Sequence, residues 1–106
     1  MLDRGHAVAV LLHDPASDKV LLVEQFRPGA LNDPAGPWML EIVAGMVETG
    51  EEDAEVARRE SMEEAGCVVN EVEHILDYYP SAGGCSETIG LFYACLLYTS
   101  PSPRDS

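Results

Sequence analysis

Apolar residues in this chain gather into short runs separated by turn-forming residues. Residues 7–12 (Ala-Val-Ala-Val-Leu-Leu) are all apolar and stop at His13-Asp14-Pro15. Residues 19–26 form a second run rich in Val and Leu, and the linking Asp14-Pro15-Ala16-Ser17-Asp18 is turn chemistry, so the pair predicts a β-hairpin. Residues 28–37 hold three Pro and two Gly and read as a loop. Residues 38–43 predict a short buried strand that ends at Ala44-Gly45. Residues 53–65 contain no Gly or Pro and are rich in Ala, Glu and Arg, which predicts a helix. Thr49 with Glu52 offers a capping box at its start, and Gly66 is placed as its C-cap. Residues 72–79 and 89–94 predict strands, joined by the Gly-rich loop at 81–86. The order β-β-β-α-β-β predicts an α+β domain with a mixed sheet and no internal repeat.

Composition narrows the class. The chain has 106 residues, enough for one small domain. No apolar run approaches the roughly 18 residues of a bilayer span, and Met1 is followed by Asp3 and Arg4 without an apolar signal region. The net charge of −13 repels nucleic-acid phosphates and anionic lipid, so neither is an expected partner. A polyphosphate ligand remains compatible if metal ions bridge the like charges. Cys67, Cys85 and Cys95 are odd in number and lack CxxC spacing, which argues against a disulfide framework or zinc site and suits the cytoplasm.

The C-terminal stretch has a different texture. From Cys95 it runs Cys-Leu-Leu-Tyr-Thr-Ser-Pro-Ser-Pro-Arg-Asp-Ser. One codon choice for its first six residues is TGT CTC TTA TAC ACA TCT, which resembles a transposon-end sequencing adapter read in one frame. The expectation is a natural domain at residues 1–94, cut off in mid-strand, followed by a non-native tail at 95–106; the alternative is a natural disordered terminus.

The densest chemistry lies between residues 48 and 64. Glu48, Glu51, Glu52, Asp53, Glu55, Glu60, Glu63 and Glu64 face only Arg58 and Arg59, and so supply six of the thirteen net negative charges. Such a run can simply be a solvated helix face. Spacing adds a second reading, because Glu60 lies three and four residues before Glu63 and Glu64 and all three crowd one side of a helix. Like charges so placed cost an isolated helix ~0.2–0.5 kcal/mol per pair. A hard divalent cation such as Mg²⁺ or Mn²⁺ reverses that sign, since it takes carboxylate oxygens and keeps positions open for water and phosphate.

The order of residues resembles the box of the Nudix hydrolases, G-x5-E-x7-R-E-U-x-E-E-x-G-U with U a bulky apolar residue. Gly45, Glu51, Arg59, Glu60, Glu63, Glu64 and Gly66 stand at the fixed positions, and Cys67 serves as the last U. Ser61 departs from the first U and weakens packing under the helix. The resemblance implies a loop–helix–loop beside a mixed sheet. It also implies Mg²⁺ (Mn²⁺ as substitute) held mainly by Glu60 and Glu64 with Glu63 assisting, and hydrolysis of a nucleoside diphosphate linked to another group. Gly45, Glu51, Arg59 and Gly66 are then structural, with Arg59 pairing with Glu51.

The flanks Arg4-Gly5-His6-Ala7-Val8, Val23-Glu24-Gln25-Phe26-Arg27 and residues 40–46 (Leu-Glu-Ile-Val-Ala-Gly-Met) resemble the ADP-ribose diphosphatase branch of that family. That likeness implies release of AMP and ribose 5-phosphate. The backbone carbonyl of Ala44 would contribute to the metal and Arg27 would meet a diphosphate oxygen. Met46 would line the cleft or the core, and Ser81, Gly83 and Glu87 would reach ribose and phosphate. Glu41, a carboxylate in an apolar strand, is expected to pair with Arg27 or face the metals. His6, His13 and His74 are scattered and read as structural. Ala82 stands where the branch usually has Pro, which leaves other nucleoside diphosphate sugars or NADH open as substrates; a module that binds ADP-ribose without hydrolysing it is the alternative of a different class. The branch also implies a homodimer, with the general base and flanking segments outside this chain, so that the domain is truncated at both ends and is a poor catalyst on its own.

Overall fold

The computed structural model describes residues 5–99. Its centre is β1 (His6–Asp14), a strand hidden on both sides. The large branched residues Val8, Val10 and Leu12 are fully buried on one face, and Ala7 and Ala9 on the other face are nearly so. β1 pairs in parallel with β8 (Thr88–Cys95) along its length, from His6–Thr88 to His13–Cys95. On its other edge it pairs antiparallel with β5 (Val43–Met46) over its first half and with β2 (Lys19–Leu21) over its last residues. β7 (Val72–Tyr78) adds antiparallel to β8, with an irregularity between His74 and Leu76. One parallel contact among antiparallel ones makes the sheet mixed, and the α+β expectation holds.

The helix α1 (Asp53–Ala65) has the bounds the sequence predicts. It lays Val56, Ala57 and Ser61 on the sheet, in a core shared with Val8, Val10, Leu12, Val43, Cys67, Phe92 and Ala94. Ser61 sits there without a bulky side chain; its hydroxyl donates 2.7 Å back to the Ala57 carbonyl, which satisfies it in the dry interface. Gly66 ends the helix in the left-handed region at φ 65°, and its N–H bonds to the Met62 carbonyl at 3.0 Å.

The predicted capping box does not form. Glu52 is the N-cap and makes no side-chain cap bond, so negative charge from Asp53 and Glu55 in the first turn is what favours the start of the helix. Two strand predictions also need correction. Residues 19–26 split at Leu22 into β2 and β3 (Val23–Phe26), and the strand predicted over 38–43 breaks at Ile42 into β4 (Trp38–Glu41) and β5. Among the described residues β3 and β4 pair with each other, from Val23–Glu41 to Phe26–Trp38, as a two-stranded ribbon that meets the core at Val23. β4 is therefore mostly exposed and not the buried strand that its apolar residues suggest, while β5 continues through Ala44 and Gly45. The loop between β3 and β4 is closed by the Arg27 N–H on the Pro37 carbonyl at 2.8 Å. Cys95 ends β8, one residue past the 94/95 boundary drawn from sequence. β6 (Cys67–Val68) pairs with β9 (Tyr98–Thr99). Arg4 and residues 100–106 of the tail lie outside the described residues.

Candidate active site

Glu60 and Glu64 meet where α1 crosses β5. One turn of helix separates them, so both carboxyls point the same way. Glu64 is pushed up to about 7, first by burial, then by a hydrogen bond with Glu60 and the charge of Glu60. The Ala44 N–H and the Arg27 charge pull it back. Two carboxyls crowded together on one helix face are an arrangement that a bound cation would stabilise.

Gly45 makes this closeness possible. A Cβ built there would lie 2.5 Å from Glu60 Cγ and 2.6 Å from both its Cδ and Oε2. The Glu60 side chain thus rests directly on the backbone of β5. Gly45 is required for room, since its φ is not in the left-handed region.

Arg59 braces the acidic loop. It pairs with Glu51, whose other oxygen accepts the Glu48 N–H at 2.9 Å, and its remaining nitrogens lie 3.7 Å from Glu60 and 3.9 Å from Glu63. The pairing holds Glu51 below the usual carboxylate range, mainly through the Arg59 hydrogen bond. The predicted Glu51–Arg59 link is present. Glu63 is 59% exposed beside Arg59, and Glu60 is 16% exposed. The structure therefore brings two of the three predicted glutamates together and sets Glu63 on the Arg59 side.

Arg27 reaches the site from the ribbon. Glu41 takes its Nε at 2.7 Å and its Nη2 at 2.5 Å, a two-pronged pair that lowers the Glu41 pKa through hydrogen bonding. Of the two expectations for Glu41, the pairing with Arg27 is what the structure shows. Two guanidinium nitrogens are engaged, and the rest of the fork stays available at a charge that Glu64 senses.

Ala44 touches the pair through its N–H on Glu64, whereas the resemblance assigned its carbonyl to metal. Met46 is 43% exposed and stands, by strand alternation, on the face away from Gly45, so it is surface and not core. Ser81 accepts the Gly84 and Cys85 N–H groups on its carbonyl at 3.0 and 2.9 Å, which makes residues 81–85 a tight exposed turn. A Cβ at Gly83 would meet nothing within 4 Å, leaving that backbone open to approach. Glu87 is half-buried just before β8. Sequence reasoning missed Asp53 and Thr88, both bonded to His6; the one signal was an acid in the first helical residue.

Among the described residues no three His, Cys, Asp or Glu side chains converge into a metal cage. The Glu60–Glu64 pair nonetheless fits a hard divalent ion that keeps several waters and completes its shell with substrate phosphate, because such ions use one or two carboxylates.

The NUDIX domain model matches residues 3–105. The chain belongs to the Nudix family. Its Nudix sequence is 47% identical over 87 residues to the ADP-ribose pyrophosphatase of Escherichia coli K12, covering 82% of this chain and 42% of that protein. The ADP-ribose pyrophosphatase of Haemophilus influenzae is 50% identical over 95 residues, covering 87% and 44%. A GDP-mannose pyrophosphatase of Yersinia pestis is 38% identical over 93 residues, covering 87% and 46%. The Nudix chain therefore spans less than half the length of these relatives. A solved structure described as an ADP compounds hydrolase superposes with a TM-score of 0.76 at 22% identity, over 95% of this chain and 51% of that one, and supports the Nudix fold. No helix among the described residues is long and apolar enough to cross a membrane.

Proposed function

We propose that this chain carries the metal-holding part of a Nudix hydrolase that adds water across the diphosphate of ADP-ribose, giving AMP and ribose 5-phosphate. The observation that carries the reading is the Glu60–Glu64 pair seated on Gly45, with Arg27 close enough for its charge to act on Glu64. Glu60 and Glu64 would hold Mg²⁺ or Mn²⁺. The bound ion would neutralise diphosphate oxygens and lower the pKa of a water. Arg27, fixed by Glu41, offers its free N–H groups to a phosphate oxygen. Arg59 holds the box loop in place through Glu51.

The relatives of highest identity named above act on ADP-ribose, which supports that substrate. GDP-mannose is the second reading, favoured by the 38% relative and by Ala82 in the turn before β8. The full enzyme, in this reading, is a cytoplasmic homodimer. The exposed Phe26, Trp38 and Leu40 on one face of the β3–β4 ribbon offer surface for a second copy. On this reading residues 1–94 are the native part and 95–106 an added tail.

The test is a panel of ADP-ribose, GDP-mannose, NADH and ATP with Mg²⁺, run on this chain and on a version extended to the full gene at both ends. The expected result is the highest kcat/KM for ADP-ribose, with clear turnover only in the extended protein. Preference for GDP-mannose would move the chain to the second reading. Tight ADP-ribose binding without products would make it a binding module, and equal turnover by the two proteins would show the short chain to be complete.

A further inference from the structure

A polar node away from the Glu60–Glu64 pair joins three segments that carry candidate site residues. His6 opens β1. Its Nε2 lies 2.7 Å from Asp53 Oδ2, and its Nδ1 lies 2.8 Å from Thr88 Oγ1. Its backbone carbonyl accepts the Val47 N–H at 2.9 Å. Asp53 is the first residue of the Nudix helix, Thr88 follows Glu87 at the head of β8, and Val47 follows Met46 at the end of β5.

The donors and acceptors fix how this node works. A carboxylate only accepts, so Nε2 donates to Asp53. The Thr88 hydroxyl can give or take, so it donates to Nδ1 when the imidazole is neutral and accepts from it when the ring is charged. Both bonds survive either state. The node is a clamp. A second imidazole–carboxylate pair, His74–Asp77 at 2.8 Å, flanks the same spot, and Gly90 leaves the room: a Cβ there would lie 3.2 Å from Asp53 Oδ2 and 3.1 Å from Asp77 Oδ1.

The helix needs such an anchor. Its N-cap makes no side-chain bond, and Glu60 rests on β5 with no spare room. We propose that His6 is a positioning residue that clamps the first turn of the metal-holding helix and the head of β8 to one point of the sheet, so fixing the carboxylate pair relative to the sugar-side loop at 81–87. In its kinetic readout the inference rests on the hydrolase reading above; in its metal-binding readout it does not.

The test compares His6→Phe, Asp53→Ala, Thr88→Val and Thr88→Ser. In Mg²⁺ titration calorimetry of the 106-residue chain, H6F and D53A weaken binding about ten-fold, the scale of one hydrogen bond to a charged group. In the extended enzyme, T88V raises KM for ADP-ribose about ten-fold with kcat little changed, and T88S restores it because the hydroxyl returns. Unchanged Mg²⁺ affinity in H6F and D53A overturns the clamp on the helix side. A T88S no better than T88V overturns it on the loop side. Should H6F fail to fold, the Thr88 pair decides. Should the wild type turn over no substrate, the hydrolase reading fails and the calorimetry still judges the clamp.

Discussion

Replacing Gly45 by Ala tests the site where the structure is tightest. The added Cβ would lie 2.5–2.6 Å from three atoms of Glu60, against an ordinary contact of about 3.5–4 Å, so one partner must move by roughly 1 Å. β5 is held by its ladder to β1, with Val8 opposite Gly45. Glu60 is only 16% exposed and has little space into which to retreat. If the strand yields, overpacking costs about 1–3 kcal/mol. If the side chain yields, stability survives but the carboxylate leaves Glu64, and a displacement of that size costs on the order of 100-fold in a catalytic step. Urea unfolding and Mg²⁺ titration together read both routes, with Gly29→Ala as control because a Cβ there meets nothing within 4 Å. The expected result is a loss in at least one measurement for G45A and in neither for G29A. A G45A protein with wild-type stability and wild-type Mg²⁺ affinity would refute the reading of Gly45 as the seat of Glu60.

Glu60→Gln and Glu64→Gln should each weaken Mg²⁺ binding, and turnover in the extended enzyme, far more than Glu52→Gln, since Glu52 is the N-cap and not part of the pair; equal losses in a metal-saturation assay would sink the assignment. The raised Glu64 pKa gives a pH signature without metal. A carboxyl raised from its ordinary 4.5 to about 7 binds more protons folded than unfolded, so its contribution is complete below about 4.5 and lost as pH rises through about 7. The loss is on the order of 1–2 kcal/mol after allowance for solvent screening. Chemical denaturation from pH 5 to 8 should show this fall, with E64Q flattening it; an unchanged slope in E64Q would contradict the raised Glu64 pKa.

The helix was legible because its determinants are local: thirteen residues without Gly or Pro, closed by a glycine at positive φ. The pairing of Glu60 with Glu64 was legible for the same reason, since an interval of four residues returns to nearly the same helix face. Glu63 lies about 60° round the other way, at three residues and 100° each, and there Arg59 meets it. The strand boundaries at Leu22 and Ile42 were not legible. At each the chain leaves one partner strand and takes another, a tertiary event with no local mark, and the apolar ribbon it creates reads in sequence like core. His6 was read as structural, but its partners were not legible, because they lie 47 and 82 residues away.

Under the proposed function, the charges around the pair favour an anionic substrate that arrives with a cation. Arg59 is spent on Glu51, and Arg27 is matched by the two-pronged grip of Glu41. Each of these ion pairs is close to neutral, which leaves the Glu60–Glu64 pair as acidic charge beside Arg27. A diphosphate approaching it meets like charge inside a molecule of net charge −13. A divalent ion on the pair brings that local charge to zero or above, and the free N–H groups of Arg27 then add directional bonds where bare Coulomb attraction would not choose an orientation. Metal dependence in this reading begins with binding, before any bond is broken. The two arginines hold the loops in position, and on this reading neutralisation is left to the cation.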